Sequence, residues 1–315
     1  MPPDKMHDDE VTTDVPLVRH LIAAQFPQWA HFPIEPVHSD GTNNAIYRLG
    51  DELCVRLPLT EDVTLQLEKE RQWLPRLAPH LPLAIPVPLA HGQPDPIAND
   101  ESSPRVSGYP WHWSVYPWLP GEPATPDHLT DPTRTATDLA AFITALRSID
   151  PTGGPPPGKH NFYRGVPLAR RDPIVRRCIA DLEDLIDTEA ATAVWDHALQ
   201  TPVYDGPPTW IHGDLSSGNM LANNGRLTAV IDWGGLAIGD PACELLVAWD
   251  LFDARTRPTF RAALNVDDPT WDRARGWALS LALIGLPYYR HTNPGFMRYA
   301  HRLLAEALAD HPRPP

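Results

Sequence analysis

Two short stretches carry residues whose types and spacing suit one chemistry. The first is Trp210-Ile-His-Gly-Asp-Leu-Ser-Ser-Gly-Asn219 and the second is Ala229-Val-Ile-Asp-Trp-Gly234. Asp214 and Asn219 stand in a D-x-x-x-x-N spacing, used by loops that transfer phosphoryl groups. There the Asp accepts the proton of an attacking hydroxyl and the Asn holds Mg2+. Asp232 ends an apolar run and is followed by an aromatic residue and glycine, where a second Mg2+-binding carboxylate stands in such sites. Phosphoryl transfer asks a protein mainly to position charge, so hard oxygen ligands beside one carboxylate suffice. Either stretch alone reads equally well as a loop with locally satisfied Asp and Asn side chains. The two together, in this order, favour the chemistry.

The surrounding pattern supplies elements to hold these groups. Met220–Ala222, an Asn224-Gly225 turn and Leu227–Ile231 predict a hairpin that brings Asn219 and Asp232 to one edge. Further upstream, 45–49 and 52–57 predict a second hairpin around Gly50-Asp51, with Leu53, Val55 and Leu57 on one face and Arg48 and Arg56 available to the other. Val63, Leu67, Leu74 and Leu77 recur at helical spacing over 61–77. Ser114–Leu119 reads as a short strand or linker. Leu139, Phe142, Ile143 and Leu146 form a helical stripe after a Thr130 or Asp131 cap. Segments near 241–253, 270–285 and 295–310 read as further helices. Proline, at 38 residues of 315, punctuates 75–126 and the firm loop Asp150–Gly158. The expected architecture is α+β: a small β-rich N-terminal lobe and a larger, mainly helical C-terminal lobe. The expected boundaries are 1–115, a hinge at 116–122, and 123–315, with 1–13 mobile.

His212-Gly-Asp-Leu-x-x-Gly-Asn-x-Leu221, Val230-Ile-Asp-Trp-Gly234 and Gly239-Asp-Pro-Ala-x-Glu-Leu245 together resemble the aminoglycoside phosphotransferase family of small-molecule kinases. Gly41-Thr-Asn-Asn-Ala-Ile-Tyr-Arg-Leu49 and Trp118-Leu-Pro-Gly-Glu122 agree with it, and the likeness extends over roughly 38–310. The resemblance implies a bilobal, protein-kinase-like fold with ATP or GTP in the interlobe cleft. It makes Asp214 the catalytic base and Asn219 and Asp232 the Mg2+ ligands. The backbone of Tyr116 to Trp118 would meet the purine, and Asp240 would support the metal loop without ligating.

The sequence departs from that family at the phosphate contacts. The family's third-strand lysine falls at Arg56, and the three lysines of the chain, Lys5, Lys69 and Lys159, offer no substitute. Arginine holds phosphate through a larger fork that is not equivalent; a strand-edge surface arginine is the alternative reading. Glu68 or Glu70 of the following helix would be its partner, with Glu70 favoured. In Ser39-Asp-Gly-Thr-Asn-Asn-Ala45 a single glycine leaves Thr42 and Asn43 to offer backbone N–H groups to phosphate; an ordinary turn explains the stretch as well. Gly153-Gly-Pro-Pro-Pro-Gly-Lys-His160 imitates a phosphate-binding loop, but three prolines remove the N–H groups such a loop needs. His212 is expected to orient the backbone around Asp214. Trp111, Trp113 and Trp118 would stack on a ring or pack a hinge.

Composition narrows the rest. A net charge of −14 argues against a nucleic-acid binder, which would need a basic stripe. No apolar run is long enough to span a bilayer, and three scattered cysteines with an acidic N-terminus suit the cytoplasm. The histidines show no paired metal-binding spacing. The expected function is transfer of a γ-phosphoryl group to a hydroxyl of an aminoglycoside-like, cationic antibiotic. A metabolic sugar, amino alcohol or hydroxylated amine is the alternative acceptor, and a nucleotide binder without transfer activity the rival class. Asp181, Glu183, Asp184, Asp187 and Glu189 form the clearest acidic stretch, either beside an acceptor or on a solvated helix face. Oligomeric state leaves no trace in the sequence.

Overall fold

A computed structural model describes residues 11–37, 43–95, 108–290 and 293–311. Thr42 and most of the glycine-poor loop lie outside the described residues, as do Lys5 and Met1–Glu10. The chain divides into two compact units: Met1–Pro79 with Ile85–Pro120, and His80–Ala84 with Gly121–Pro315.

The first unit is built on an antiparallel five-stranded sheet. Its elements are α1 (Val15–Gln25), β1 (Ile34–Val37), β2 (Asn44–Leu49), β3 (Leu53–Pro58), α2 (Glu61–Leu77), β4 (Ala90–Gly92) and β5 (Trp113–Pro117), with strand order β1-β2-β3-β5-β4. Leu53, Val55 and Leu57 face a core shared with Leu17, Leu21, Ile22 and Val115. The opposite parity of β3 is covered too, since Cys54 packs with Leu67 of α2 and Tyr116 of β5. A central strand covered on both faces buries every side chain it carries, Arg56 included. Helix α1 was not anticipated, although Asp14 caps it by accepting the Leu17 N–H at 2.8 Å and Pro16 sits in its first turn. At the described end of the N-terminal tail the Val11 N–H donates to Leu59 O at 3.0 Å, and Tyr47 Oη donates to Thr13 at 3.0 Å.

The second unit contains β6 (Glu122–Pro123), α3 (Pro132–Ser148), α4 (Asp172–Asp181), α5 (Thr188–Gln200), β7 (Thr209–Ile211), β8 (Met220–Asn223), β9 (Arg226–Val230), β10 (Ala237–Gly239), α6 (Val247–Leu251), α7 (Arg257–Leu264), α8 (Asp268–Tyr289) and α9 (Pro294–Ala309). Strands β6, β8 and β9 form one small sheet, and β7 pairs antiparallel with β10 in another. Residues 80–84 join the first of these, Ala84 bonding to Thr228 and Val230 at 3.0 and 2.9 Å. The Asn224-Gly225 turn has φ of 51° and 77°, the left-handed pair that matches the twist of a two-residue hairpin. Prolines recur in the first turn of α1, α3, α4, α7, α8 and α9. There a missing N–H costs nothing and a fixed φ is already helical. That use accounts for part of the chain's high proline content. Asp131, Asp187, Asp267 and Asn293 cap α3, α5, α8 and α9 through their side chains. The expected helix over 241–253 is instead a 3-10 turn over Pro241–Leu246 followed by the short α6.

Candidate active site

Asp214 stands on the loop after β7, and buried carboxylates hold that loop. Glu244, 1% exposed, accepts the His212 N–H and the Gly213 N–H, each at 2.8 Å. His212 uses both ring nitrogens. Nδ1 accepts the Asp214 N–H at 3.1 Å, which places the ring proton on Nε2, 2.9 Å from Ile231 O. The histidine therefore clips the Asp214 loop to the strand end that precedes Asp232, and is not positioned as an acid or base. Gly213 has φ +82°, and a Cβ there would lie 2.3 Å from Gly235 O. Only glycine lets the 212–214 and 233–235 loops touch.

The same packing fixes the other two residues of the set. Asn219 Nδ2 donates to Asp214 O at 2.9 Å, and Asn219 O accepts the Ile231 N–H at 2.9 Å. Asp232 follows in the left-handed region at φ 61°, ψ 67°, a conformation a short polar residue tolerates. Ser217, between Asp214 and Asn219, gives its N–H to Asp250 at 2.6 Å and its hydroxyl at 3.1 Å. Burial raises the Asp250 carboxyl, and the two Ser217 bonds pull it back.

Asp214 itself is 39% exposed. Arg164 takes Oδ1 at 2.9 Å. One oxygen is thus tied and the other, Oδ2, is left without a partner among the described residues. The Asn219 amide nitrogen is engaged, which leaves its Oδ1, like the carboxylate of Asp232, as a hard oxygen donor. Among the described residues no group of three His, Cys, Asp or Glu is suited to a metal ion. Two hard oxygen donors nonetheless fit Mg2+, which keeps waters and substrate phosphates for its other positions. Asp240 caps the turn at Pro241, accepting the Ala242 N–H at 2.9 Å, and pairs with Arg273 at 2.9 Å. It is part of the scaffold beneath β10.

In the first unit, Arg56 reaches the buried Glu70 carboxylate, with Nη1 3.2 and 3.1 Å from its two oxygens. The surface-arginine reading is overturned: Arg56 is 8% exposed and Glu70 fully buried. Glu68 pairs with Arg71 on the surface at 2.7 Å. The signal that separates the two glutamates is position, since Glu70 falls on the buried stripe of α2 with Val63, Leu67 and Leu74 while Glu68 does not. Tyr116 donates its hydroxyl to Glu70, and its ring lies 5.2 Å from the Arg56 guanidinium carbon. Burial, then the Glu70 charge, pushes the Tyr116 phenol well up, so it stays a donor. The Trp118 N–H donates to Glu52 O at 2.7 Å, which commits that one group to the sheet. Arg48 lies over the Trp118 ring at 4.1 Å, and Trp113 is a core residue. Asn43 O accepts the Leu59 N–H at 2.9 Å.

Asp250 and Arg164 were not singled out from the sequence, and Glu244 stood in the 239–245 motif without a role assigned to it. Asp181, Glu183, Asp184, Asp187 and Glu189 are all exposed around the α4–α5 junction, in keeping with the solvated-face reading, and Asp187 caps α5.

The parts expected of a phosphoryl-transfer site thus stand on an α+β scaffold. The model of the phosphotransferase enzyme family matches residues 34–277, and the chain belongs to that family. Over 106 residues it is 29% identical to hygromycin-B 4-O-kinase of Escherichia coli, a match covering 34% of this chain and 31% of that protein. The alignment therefore spans about a third of the length of that curated relative. The structure superposes on the GDP complex of wild-type aminoglycoside 2'-phosphotransferase-IIIa with a TM-score of 0.68 at 22% identity, covering 94% of this chain and 99% of that one. Macrolide 2'-phosphotransferase type I gives 0.60 at 19% identity, with 95% and 97% covered. The fold is the protein-kinase-like one that the resemblance implied.

Proposed function

We propose that this protein transfers the γ-phosphoryl group of ATP or GTP to a hydroxyl of an aminoglycoside-like antibiotic. The observation that carries the reading is the state of Asp214: one carboxylate oxygen held, the other open, on a loop braced by Glu244 and His212. In this reading Oδ2 accepts a hydrogen bond from the acceptor hydroxyl and takes its proton as the oxygen attacks phosphorus. Asn219 and Asp232 hold Mg2+, which when bound neutralises charge on the nucleotide phosphates. Arg56, steadied by Glu70 and Tyr116, contacts phosphate, and the backbone N–H of Asn43 is offered to it. The carbonyl side of Tyr116–Trp118 meets the base.

The acceptor class is supported by the hygromycin-B kinase among its relatives and by the aminoglycoside phosphotransferase fold. The test is Mg2+-dependent release of ADP or GDP against aminoglycosides, hygromycin B, macrolides, sugars and amino alcohols. Turnover confined to aminoglycosides supports the reading; turnover confined to sugars or amino alcohols overturns the acceptor assignment. Among the described residues no helix is long and apolar enough to cross a membrane, and a cytoplasmic site of action is part of this proposal.

A further inference from the structure

Arg164 lies outside every motif that identifies the site, yet its guanidinium sits 2.9 Å from Asp214 Oδ1 with the side chain only 10% exposed. Among the described residues Asp214 is its one ion-pair partner. A buried guanidinium needs such a partner, because desolvation is repaid only by close, well-formed charge pairing.

The backbone that delivers Arg164 is strained. Phe162 and Tyr163, consecutive residues with large side chains, hold φ of 54° and 57°. The left-handed region costs residues of this kind about 1–2 kcal/mol each, and strain of this sort persists only where the surroundings over-determine it. Here they do. Asn161, fully buried, accepts the Gly158 N–H at 2.9 Å and donates to Arg164 O at 3.0 Å. The Arg164 N–H returns to Asn161 O at 3.1 Å. Arg171 donates to Phe162 O at 3.2 Å, and the Asp240 N–H donates to Gly165 O at 2.9 Å. The loop is thus fixed on both sides of Arg164, and the fixed point aims at one oxygen of Asp214.

We propose that Arg164 is the positioning residue of Asp214. The ion pair with Oδ1 restrains rotation of the carboxylate and leaves Oδ2 for the acceptor hydroxyl. The inference rests on the proposed function, in which that oxygen receives the hydroxyl proton. It makes Arg164 act through Asp214 and not on the phosphates.

The test compares Arg164→Gln and Arg164→Lys, each alone and combined with Asp214→Asn, in the full chain with an acceptor that the wild type turns over. Arg164→Gln is expected to lower kcat by about 10- to 100-fold, the cost of a misplaced reacting group, while acceptor KM and ADP affinity stay within about twofold. Arg164→Lys recovers part of the loss, since an ammonium reaches Oδ1 without the fork. In the Asp214→Asn background, Arg164→Gln costs less than about twofold, because residues acting as one unit are not additive. An equal loss in both backgrounds, or an unchanged kcat in the single variant, overturns the inference. Should Arg164→Gln fail to fold, Arg164→Lys carries the same two-background comparison. If the wild type turns over no acceptor, the proposed function has failed. The inference is then decided by crystals of Arg164→Gln: a turned Asp214 carboxylate supports it and an unmoved one overturns it.

Discussion

Arg56 and Asp214, one charged centre from each unit, are held in opposite ways. Arg56 sits mid-strand in a central β3, and its partners come from regular elements, Glu70 on α2 and Tyr116 on β5. Its pair is sealed, at 10% and 0% side-chain exposure. Asp214 sits on a loop and is braced by loop and turn residues, His212, Asn219, Glu244 and Arg164. It keeps one oxygen open. A group that only has to hold charge can be buried in regular structure, whereas a group that has to exchange a proton needs rigidity without burial. In the second unit that rigidity comes from carboxylates beneath the loop, each accepting two hydrogen bonds from the loop it supports.

If the contrast is right, removing the partner should injure the two centres differently. Glu70→Ala strands the buried Arg56 charge and is expected to cost about 3–5 kcal/mol, read as a lowered midpoint in urea unfolding. Glu244→Ala leaves two buried N–H groups unpaired, about 2–4 kcal/mol in all. Its sharper effect should be on turnover, because the Asp214 loop loses its brace; kcat falling with nucleotide affinity retained is the expected pattern.

A smaller effect places a pH dependence in the first unit. Burial pulls the Lys69 ammonium down to about 8, against a smaller opposing pull from Glu70. A lysine depressed on folding contributes stability that is full above its unfolded value, near 10.5, and is lost as pH falls through about 8. Lys69→Met should therefore be more stable than the wild type at pH 7, by roughly 3 kcal/mol, with the advantage vanishing above pH 10.5. Melting temperatures of both proteins across that window check it. The least effect belongs to Glu68→Ala: its exposed pair with Arg71 should be worth less than about 0.5 kcal/mol. A large loss there would erase the distinction between Glu68 and Glu70.

The two centres also differed in how far the sequence disclosed them. Turn chemistry at Gly50-Asp51 and Asn224-Gly225, and the apolar periods of α2 and α3, are local signals, and the elements they imply are present. Asp214, Asn219 and Asp232 were legible because their spacing is itself the signal, carried on a short hairpin. Arg164 was not, because what aims it is a pair of left-handed aromatic residues, and neither Phe162 nor Tyr163 advertises that conformation. Glu244 and Asp250 serve through tertiary bonds to backbone N–H groups that no period encodes. Helix α1 was within reach: Leu17, Val18, Leu21 and Ile22 recur at helical spacing after Asp14.

The most direct test of the account is Asp214→Asn beside the wild type, reading Mg2+-dependent ADP or GDP release with an aminoglycoside acceptor and nucleotide affinity in parallel. The account predicts turnover in the wild type that falls by about 10²- to 10⁴-fold in the variant, with affinity and melting temperature preserved. Equal turnover in the two proteins would contradict it, and would remove Asp214 from the chemistry.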